Sequence, residues 1–371
     1  MMKLVHFISG KKNQIADYLV TPVRYNKRAL FKKGYKVKIV YEPSEKNLNC
    51  DILCLVSKPV LEMLNEKDSV CVESGPTIPF IKKAREYANK IIWMDISDST
   101  SVTHFELLLY VDLYLKKHLL KDKSLYQKEF YGGRIFTDYY HNKFGIEDSS
   151  PFNQFFPLDM NLAHKVDLSW NMGIGDAYNA FSKKNAVRRR FPDYIPASYK
   201  VPYTSPTKKR ELDIFIRAST LRRETVAFHR RELVKRLEGM LQSDNTLRGS
   251  ANGRLPLKTY REMMKNTKIA FGPFGWGELN IREYEALIFG ALLLRPDFSH
   301  METWPSTFIV GETCVTYRWD FEDLESTIRE YLRDEKRRLQ IAQNGQEAFR
   351  NSISPSGMEK FCDWFIQQIE K

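Results

Sequence analysis

The segment from Phe271 to Leu287 reads Phe-Gly-Pro-Phe-Gly-Trp-Gly-Glu-Leu-Asn-Ile-Arg-Glu-Tyr-Glu-Ala-Leu, and it concentrates the residue types that handle a phosphate-bearing ligand. Glycines 272, 275 and 277 let the backbone approach a ligand closely. A helix starting after them presents free N–H groups and the positive end of its dipole to an anion. Arg282 on its first turn adds a charge-assisted donor, and Glu285 on the adjoining face can accept from a ribose diol. The competing reading of Glu285 is a surface carboxylate paired with Arg282 at helical spacing.

Arg217 follows the apolar run 212–216, and Ala218, Ser219 and Thr220 come next, with Arg222 and Arg223 close behind. Ligands gather outside the carboxyl ends of strands in open α/β sheets, so a cation there reaches a diphosphate. The alternative is that these arginines serve solubility alone. Asp95 and Asp98 follow the apolar run ending in Trp93 and Met94, where a carboxylate can face a cleft and take the proton of an attacking hydroxyl. Asp98 reads equally well as a helix N-cap. His6 and His104 compete for the proton-accepting role, each also readable as a packed or surface histidine. There is no Asp-x-Asp and no Walker A loop, and Gly173-Ile-Gly175 lacks the third glycine of a dinucleotide fingerprint. No metal ligand set and no cofactor are expected.

These residues need two α/β units to hold them. Short apolar runs alternate with amphipathic stretches in the first half, as expected for a parallel sheet flanked by helices, with strands at 4–8, 36–41, 51–56 and 91–94. The stretch 23–33 before Gly34 reads as one helix with a glycine stop, closing a βαβ unit. Residues 104–194 read as helix-rich. Pro192, Pro196, Pro202, Pro206 and the polar run 207–210 have linker character. Alternation then restarts: a strand at 212–216, helices at 225–240 and 257–265, strand 269–271, the glycine loop, helix 281–289 and strand 291–294. Short strands at 308–310 and 314–317 and helices at 321–332 and 335–349 follow.

Length and composition set the outer bounds. At 371 residues the chain exceeds what one core usually organises. No apolar run reaches the roughly 20 residues of a membrane span, and the start reads as a buried strand, so a cytoplasmic protein is expected. Five scattered cysteines, Cys50, Cys54, Cys71, Cys314 and Cys362, form no CxxC pair and read as buried thiols. The formal charge of +12 favours anionic partners. The run Lys183, Lys184, Arg188, Arg189 and Arg190 reads as a solvated helix face or as an anionic contact.

The segment 271–297 resembles the nucleotide-sugar signature of glycosyltransferases group 1 and of the related exostosin and spore-maturation-type families. In these a glycine loop precedes an Arg/Glu-rich helix, Glu-Ala-Leu, a glycine and a hydrophobic strand. Val315 to Glu325 and Leu332 to Gly345 are similar to the closing part of that domain, so the resemblance covers about residues 255–350. It implies an α/β GT-B architecture, two Rossmann-like domains facing each other across a cleft. Residues 1–195 would bind the acceptor, 196–210 link, 211–352 bind the donor, and 353–371 return to the first domain as a helix resembling the GT-B terminal helix. It implies transfer of a sugar from a nucleotide sugar to a glycan or lipid-linked acceptor, in cell-surface polysaccharide or lipopolysaccharide assembly. Arg217, Gly275, Gly277, Glu278, Arg282 and Glu285 would hold the donor, and Asp98 or Asp95 would be catalytic. One departure concerns Glu278: retaining members carry two glutamates separated by seven residues, and counting back from Glu285 reaches Gly277. Phe361, Trp364 and Phe365 with the basic charge suggest contact with the anionic inner membrane face. No nucleic acid is expected, although a noncatalytic anion- or nucleic-acid-binding protein on the same scaffold is the rival reading, since interleaved Arg and Tyr suit RNA.

Overall fold

The computed structural model describes residues 1–10, 14–66, 75–152, 155–174, 201–218, 223–251 and 253–371. Cys71, the basic run 183–190, Gly175, Pro192, Pro196, Ser219, Thr220 and Arg222 lie outside the described residues.

Strands β1 (Lys3–Ile8), β2 (Tyr35–Val40), β3 (Cys50–Val56), β4 (Ala88–Asp95), β5 (Leu113–Lys116) and β7 (Val166–Leu168) form a sheet in the order β2-β1-β3-β4-β5-β7. Every pairing in it is parallel. The run Cys50–Val56 shows why a parallel sheet results. Side chains alternate between faces with period two, and here both faces are apolar: Ile52, Cys54 and Val56 enter one core cluster, Leu53 and Leu55 the other. Such a strand is buried on both sides and needs helices over each.

A second parallel sheet, in the order β13-β11-β10-β8-β9, is built from β8 (Leu212–Phe215), β9 (Gly249–Ser250), β10 (Thr267–Phe271), β11 (Leu292–Pro296) and β13 (Val315–Tyr317). The same alternation operates: Leu292 and Leu294 point into one cluster and Leu293 into the other. The protein is therefore an α/β chain with two Rossmann-like sheets.

Three features join the two halves. Strand β6 (His118–Leu120) of the first half pairs antiparallel with β12 (Met301–Thr303) of the second. The helix Ile135–Phe144, also from the first half, buries Phe136 and Tyr140 in a cluster of the second sheet, and Asp148 accepts from the Thr225 amide at 3.0 Å. In return, the C-terminal helix Pro355–Glu370 packs Met358, Phe361, Cys362, Phe365 and Ile369 against Val5 and Phe7 of the first sheet. Each such buried side chain contributes about 1.5 to 3 kcal/mol.

Several expectations need correction. The stretch 23–33 is two helices, Gln14–Tyr25 and Lys27–Lys32, broken at Asn26. Pro22 lies inside the first of them, and the Asn26 side-chain amide donates to the Pro22 carbonyl at 2.9 Å. A side chain bonding its own backbone competes with helical continuation. Gly34 does take the left-handed conformation, at φ 95°. The region 104–174 is not helix-rich: it holds β5, β6, β7, one α-helix and short 3₁₀ turns. Residues 308–310 form no strand, only a bridge between Val310 and Cys314. Phe361 and Phe365 are fully buried, and the half-buried Trp364 stacks on Trp304 at 4.7 Å, so these aromatics pack into the first domain. Residues 201–210 are strapped to the second domain, where Arg210 donates to the carbonyls of Thr267 (2.9 Å) and Phe289 (2.7 Å). Cys50, Cys54, Cys314 and Cys362 are buried free thiols.

Candidate active site between the domains

The glycine loop leaves the carboxyl end of β10 and runs to the helix Ile281–Ile288. The helix starts where it does because Asn280 and Glu283 form a capping box: the Asn280 side chain accepts from the Arg282 amide at 3.0 Å, and Glu283 accepts from the Asn280 amide at 2.5 Å. Glu283 is also 3.2 Å from Arg295, both fully buried. Burial outweighs that guanidinium and pushes the Glu283 acid up to about 7.

Two of the glycines are there for space. A Cβ at Gly275 would stand 2.9 Å from the Arg230 guanidinium, which itself donates to the Phe274 carbonyl at 2.6 Å. A Cβ at Gly277 would stand 1.6 Å from the Asp98 carbonyl oxygen. Gly277 is thus the point where the second domain's loop meets the first domain's carboxyl-end loop. Arg134 reinforces the junction, donating to the Trp276 carbonyl at 2.8 Å with its guanidinium 5.2 Å from the Trp276 ring.

Glu278, one step on, is fully buried and turned toward the first domain. It accepts from Ser99 Oγ (3.0 Å), the Thr100 amide (3.1 Å) and Thr100 Oγ1 (2.8 Å), and His300 Nε2 is 3.7 Å away. Burial raises the acid, but His300, His118 and Thr100 outweigh it and hold Glu278 down at about 2. Arg295 fixes the backbone of Glu278 by donating to its carbonyl at 2.9 Å.

The two aspartates are committed elsewhere. Asp95 is fully buried, with Tyr114 Oη at 2.6 Å, Lys116 Nζ at 2.9 Å and the Ser97 amide at 2.8 Å. Burial raises its acid, yet Lys116 and His104 bring it well below the carboxylate range. A carboxylate so held and sealed is a poor proton acceptor, and the geometry makes Asp95 an anchor for the loop after β4. Asp98 is not a helix N-cap either. It lies between Lys58 (3.2 Å) and Lys117 (3.0 Å), and these cations overcome its burial to hold the acid low. Its carboxylate is 25 % exposed, which leaves it an edge toward solvent that Asp95 lacks. His6 and His104 are both buried, His6 bonded to the Asn47 carbonyl at 2.7 Å.

A second group of candidates gathers at the carboxyl end of β8. Arg217 donates to Ser250 Oγ at 2.6 Å, and its guanidinium lies 4.8 Å from the Phe215 ring, which meets Tyr260 at 5.8 Å between centroids. Tyr260 Oη donates to Glu285 at 2.7 Å, and the Arg282 guanidinium acts on the same hydroxyl, lowering its acid against the effect of burial. Burial raises the Glu285 acid against the pull of Tyr260 and Arg282. Arg217, Tyr260, Arg282 and Glu285 therefore form a continuous wall, whereas Gly275, Gly277 and Glu278 face the other domain. The predicted donor residues divide between these two surfaces. The expected Arg282–Glu285 pair is mediated by a tyrosine, a residue the sequence reading passed over, as it did Arg230, Arg134, Ser99, Thr100 and His300. The Ser-Asp-Ser-Thr-Ser run at 97–101 was the one local signal for the partner loop. Among the described residues no group of three or more His, Cys, Asp or Glu is placed to hold a metal ion.

Residues 222–357 match the family model described as glycosyl transferase-like. No curated protein matches the sequence. Among solved structures, similar chains include an alpha-glucosyltransferase in complex with UDP and a 13-mer DNA containing an HMU base, at 12 % identity over 100 % of both chains and a TM-score of 0.48. Another is HepE of Anabaena in complex with UDP and glucose, at 10 % identity over 100 % of both chains and a TM-score of 0.45. The catalytic domain of starch synthase IV from Arabidopsis thaliana, bound to ADP and acarbose, aligns at 9 % identity over 100 % of both chains with a TM-score of 0.44. The chain thus has two parallel-sheet domains that meet at their carboxyl-end loops, and the second, over residues 222–357, is glycosyl transferase-like.

Proposed function

We propose that the protein transfers a sugar from a nucleotide-activated donor to a hydroxyl of a glycan or lipid-linked acceptor, in the assembly of cell-surface polysaccharide or lipopolysaccharide. The observation that carries this reading is the contact of Gly277 with Asp98, which brings a phosphate-type glycine loop of one domain against the carboxyl-end loop of the other. Breaking the glycosidic bond loads negative charge onto the departing nucleotide. Arg217, Arg282 and the helix amides are the groups we assign to neutralise it, preorganised donors being the largest single source of stabilisation in such steps. Glu285 is assigned to the ribose, with Tyr260 holding its orientation. Asp98 is assigned a place beside the acceptor, where it keeps Lys58 and Lys117 at the cleft. The accompanying expectation is a cytoplasmic enzyme touching the inner membrane face, and no helix among the described residues is long and apolar enough to cross a membrane.

Thermal stabilisation by a panel of nucleotide sugars tests the reading directly. A saturable shift with one nucleotide family supports it, and no shift with any donor, alongside binding to nucleic acid that falls steeply with salt, contradicts it. Because cations and amides do the neutralising, transfer should persist in EDTA. Complete loss on chelation with recovery in manganese would overturn that part.

Glu285→Ala removes an acceptor for two hydroxyls, each hydrogen bond to a charged group being worth about 1.5 to 3 kcal/mol. Donor affinity should fall on the order of tenfold to a few hundredfold. Calorimetric titration checks this, and unchanged affinity in a folded variant would remove Glu285 from the site.

A further inference from the structure

We propose that the amino-terminal end of the second sheet carries a separate phosphate-binding site, built around Arg210 and Arg338. In a parallel sheet all carboxyl ends lie together. The starts of β8, β10 and β11 therefore face away from Arg217 and the glycine loop. A cavity of about 230 Å³ opens at that far end. Five of its lining side chains are cationic, Lys208, Lys209, Arg210, Lys268 and Arg338, against the single carboxylate of Glu335 among the described residues that line it.

The buried guanidiniums are the unusual feature. Arg210 is 9 % exposed and Arg338 is 4 % exposed. Taking such a charge out of water costs several kcal/mol unless an opposite charge meets it. Arg210 finds only neutral acceptors: its terminal nitrogens donate to the carbonyls of Lys265, Thr267, Ser205, Phe289 and Gly290. Its Nε is buried with no acceptor. Arg338 bonds two carbonyls and Glu335 at 3.0 Å, but that carboxylate is 71 % exposed and spends its charge in solvent. Burial and the neighbouring Arg338 push Arg210 down to about 10. Lys268 already has a partner, Asp213 at 2.7 Å, while Lys208 and Lys209 stand exposed at the rim.

Stapling residues 201–210 to the sheet accounts for the carbonyl bonds of Arg210. It does not account for the orphaned Nε, nor for the convergence of further cations on one cavity. A tetrahedral dianion accounts for both, because one of its oxygens can accept from the Arg210 Nε while the Lys208 and Lys209 ammonium groups add point charge at the rim. The volume suits a phosphate or a small phosphorylated molecule. A nucleic-acid strand would need a long open groove.

Calorimetry and thermal shift of the full chain with inorganic phosphate and pyrophosphate, at ionic strength held constant with chloride, test the site. Saturable binding should weaken on the order of tenfold in Lys208→Ala/Lys209→Ala, both positions being exposed. It should tighten in Glu335→Gln, a gain that a damaged fold cannot imitate. Glu285→Ala should leave it unchanged, and saturating UDP should not displace the phosphate. Equal affinity in wild type, the lysine pair and Glu335→Gln, displacement by UDP, or no saturable binding would each overturn the proposal. Sedimentation with phosphatidate vesicles separates the sources. Vesicle binding lost in the lysine pair assigns the phosphate to a lipid headgroup, and phosphate binding without vesicle binding assigns it to a small molecule; both outcomes uphold the site.

Discussion

Gly277→Ala should abolish most transfer while both domains stay folded. The added methyl would lie 1.6 Å from the Asp98 carbonyl oxygen, with the Ser99 amide nitrogen at 2.8 Å, and neither is the end of a flexible side chain. One of the two loops must retreat. The methyl projects from the domain junction, away from either core, so circular dichroism and the unfolding midpoint should change little. In the proposed reaction the meeting of donor and acceptor depends on these two loops touching, and a misplacement of about 1 Å in a reacting geometry costs about 10²-fold. A loss in kcat/KM on the order of 10²-fold or more is expected, with a larger radius of gyration in solution scattering. Activity near that of wild type would mean that the contact is not part of the working state.

Glu278→Gln should cost stability at neutral pH and flatten its dependence on pH in acid. A carboxylate fully buried among Ser99, Thr100 and His300 is held at about 2, below its ordinary 4.5. The sign follows from linkage: the folded state binds its proton less readily than the unfolded chain. Its stabilising contribution is therefore complete above about pH 4.5 and is lost as pH falls toward 2. The shift corresponds to about 3 kcal/mol at most. Glutamine keeps the size but removes the charge, and its N–H₂ turns a donor toward groups that already donate. The gap in denaturant midpoint between wild type and Glu278→Gln should be widest near neutrality and narrow steadily below about pH 4.5. A gap that stays constant with pH would remove the charge from the explanation and leave only packing.

The Glu278 contacts also explain why the departure from the spacing of two glutamates matters. Displaced by one residue along the loop, the carboxylate is aimed at the opposite domain, where Ser99 and Thr100 accept the role of partners. In the sequence this is a count of residues. Only the positions of two loops 178 residues apart reveal what the displaced group does.

Local order and the glycine loop were legible in the sequence because they depend on neighbours in the chain. Alternating apolar runs such as 52–56 fix a strand buried on both faces, and the Asn280–Glu283 pair fixes a helix start whatever surrounds it. The clustering of Gly275, Gly277, Arg282 and Glu285 was visible for the same reason, since it is a matter of neighbours in the chain. Tertiary structure decided the rest. The strand Val166–Leu168 is three residues long, too short to carry a periodic signal, and exists because β5 offers it an edge. The helix Ile135–Phe144 has weak amphipathic character, and its burial is set by Phe274, whose ring meets Phe136 at 4.6 Å. Asp95 and Asp98 look alike along the chain, two carboxylates after a buried strand. What separates them is which lysines the fold delivers: Lys116 seals one completely, while Lys58 and Lys117 leave the other an exposed edge at the cleft. A carboxylate's work is set by the charges and the water around it, and those come from residues that only folding brings near.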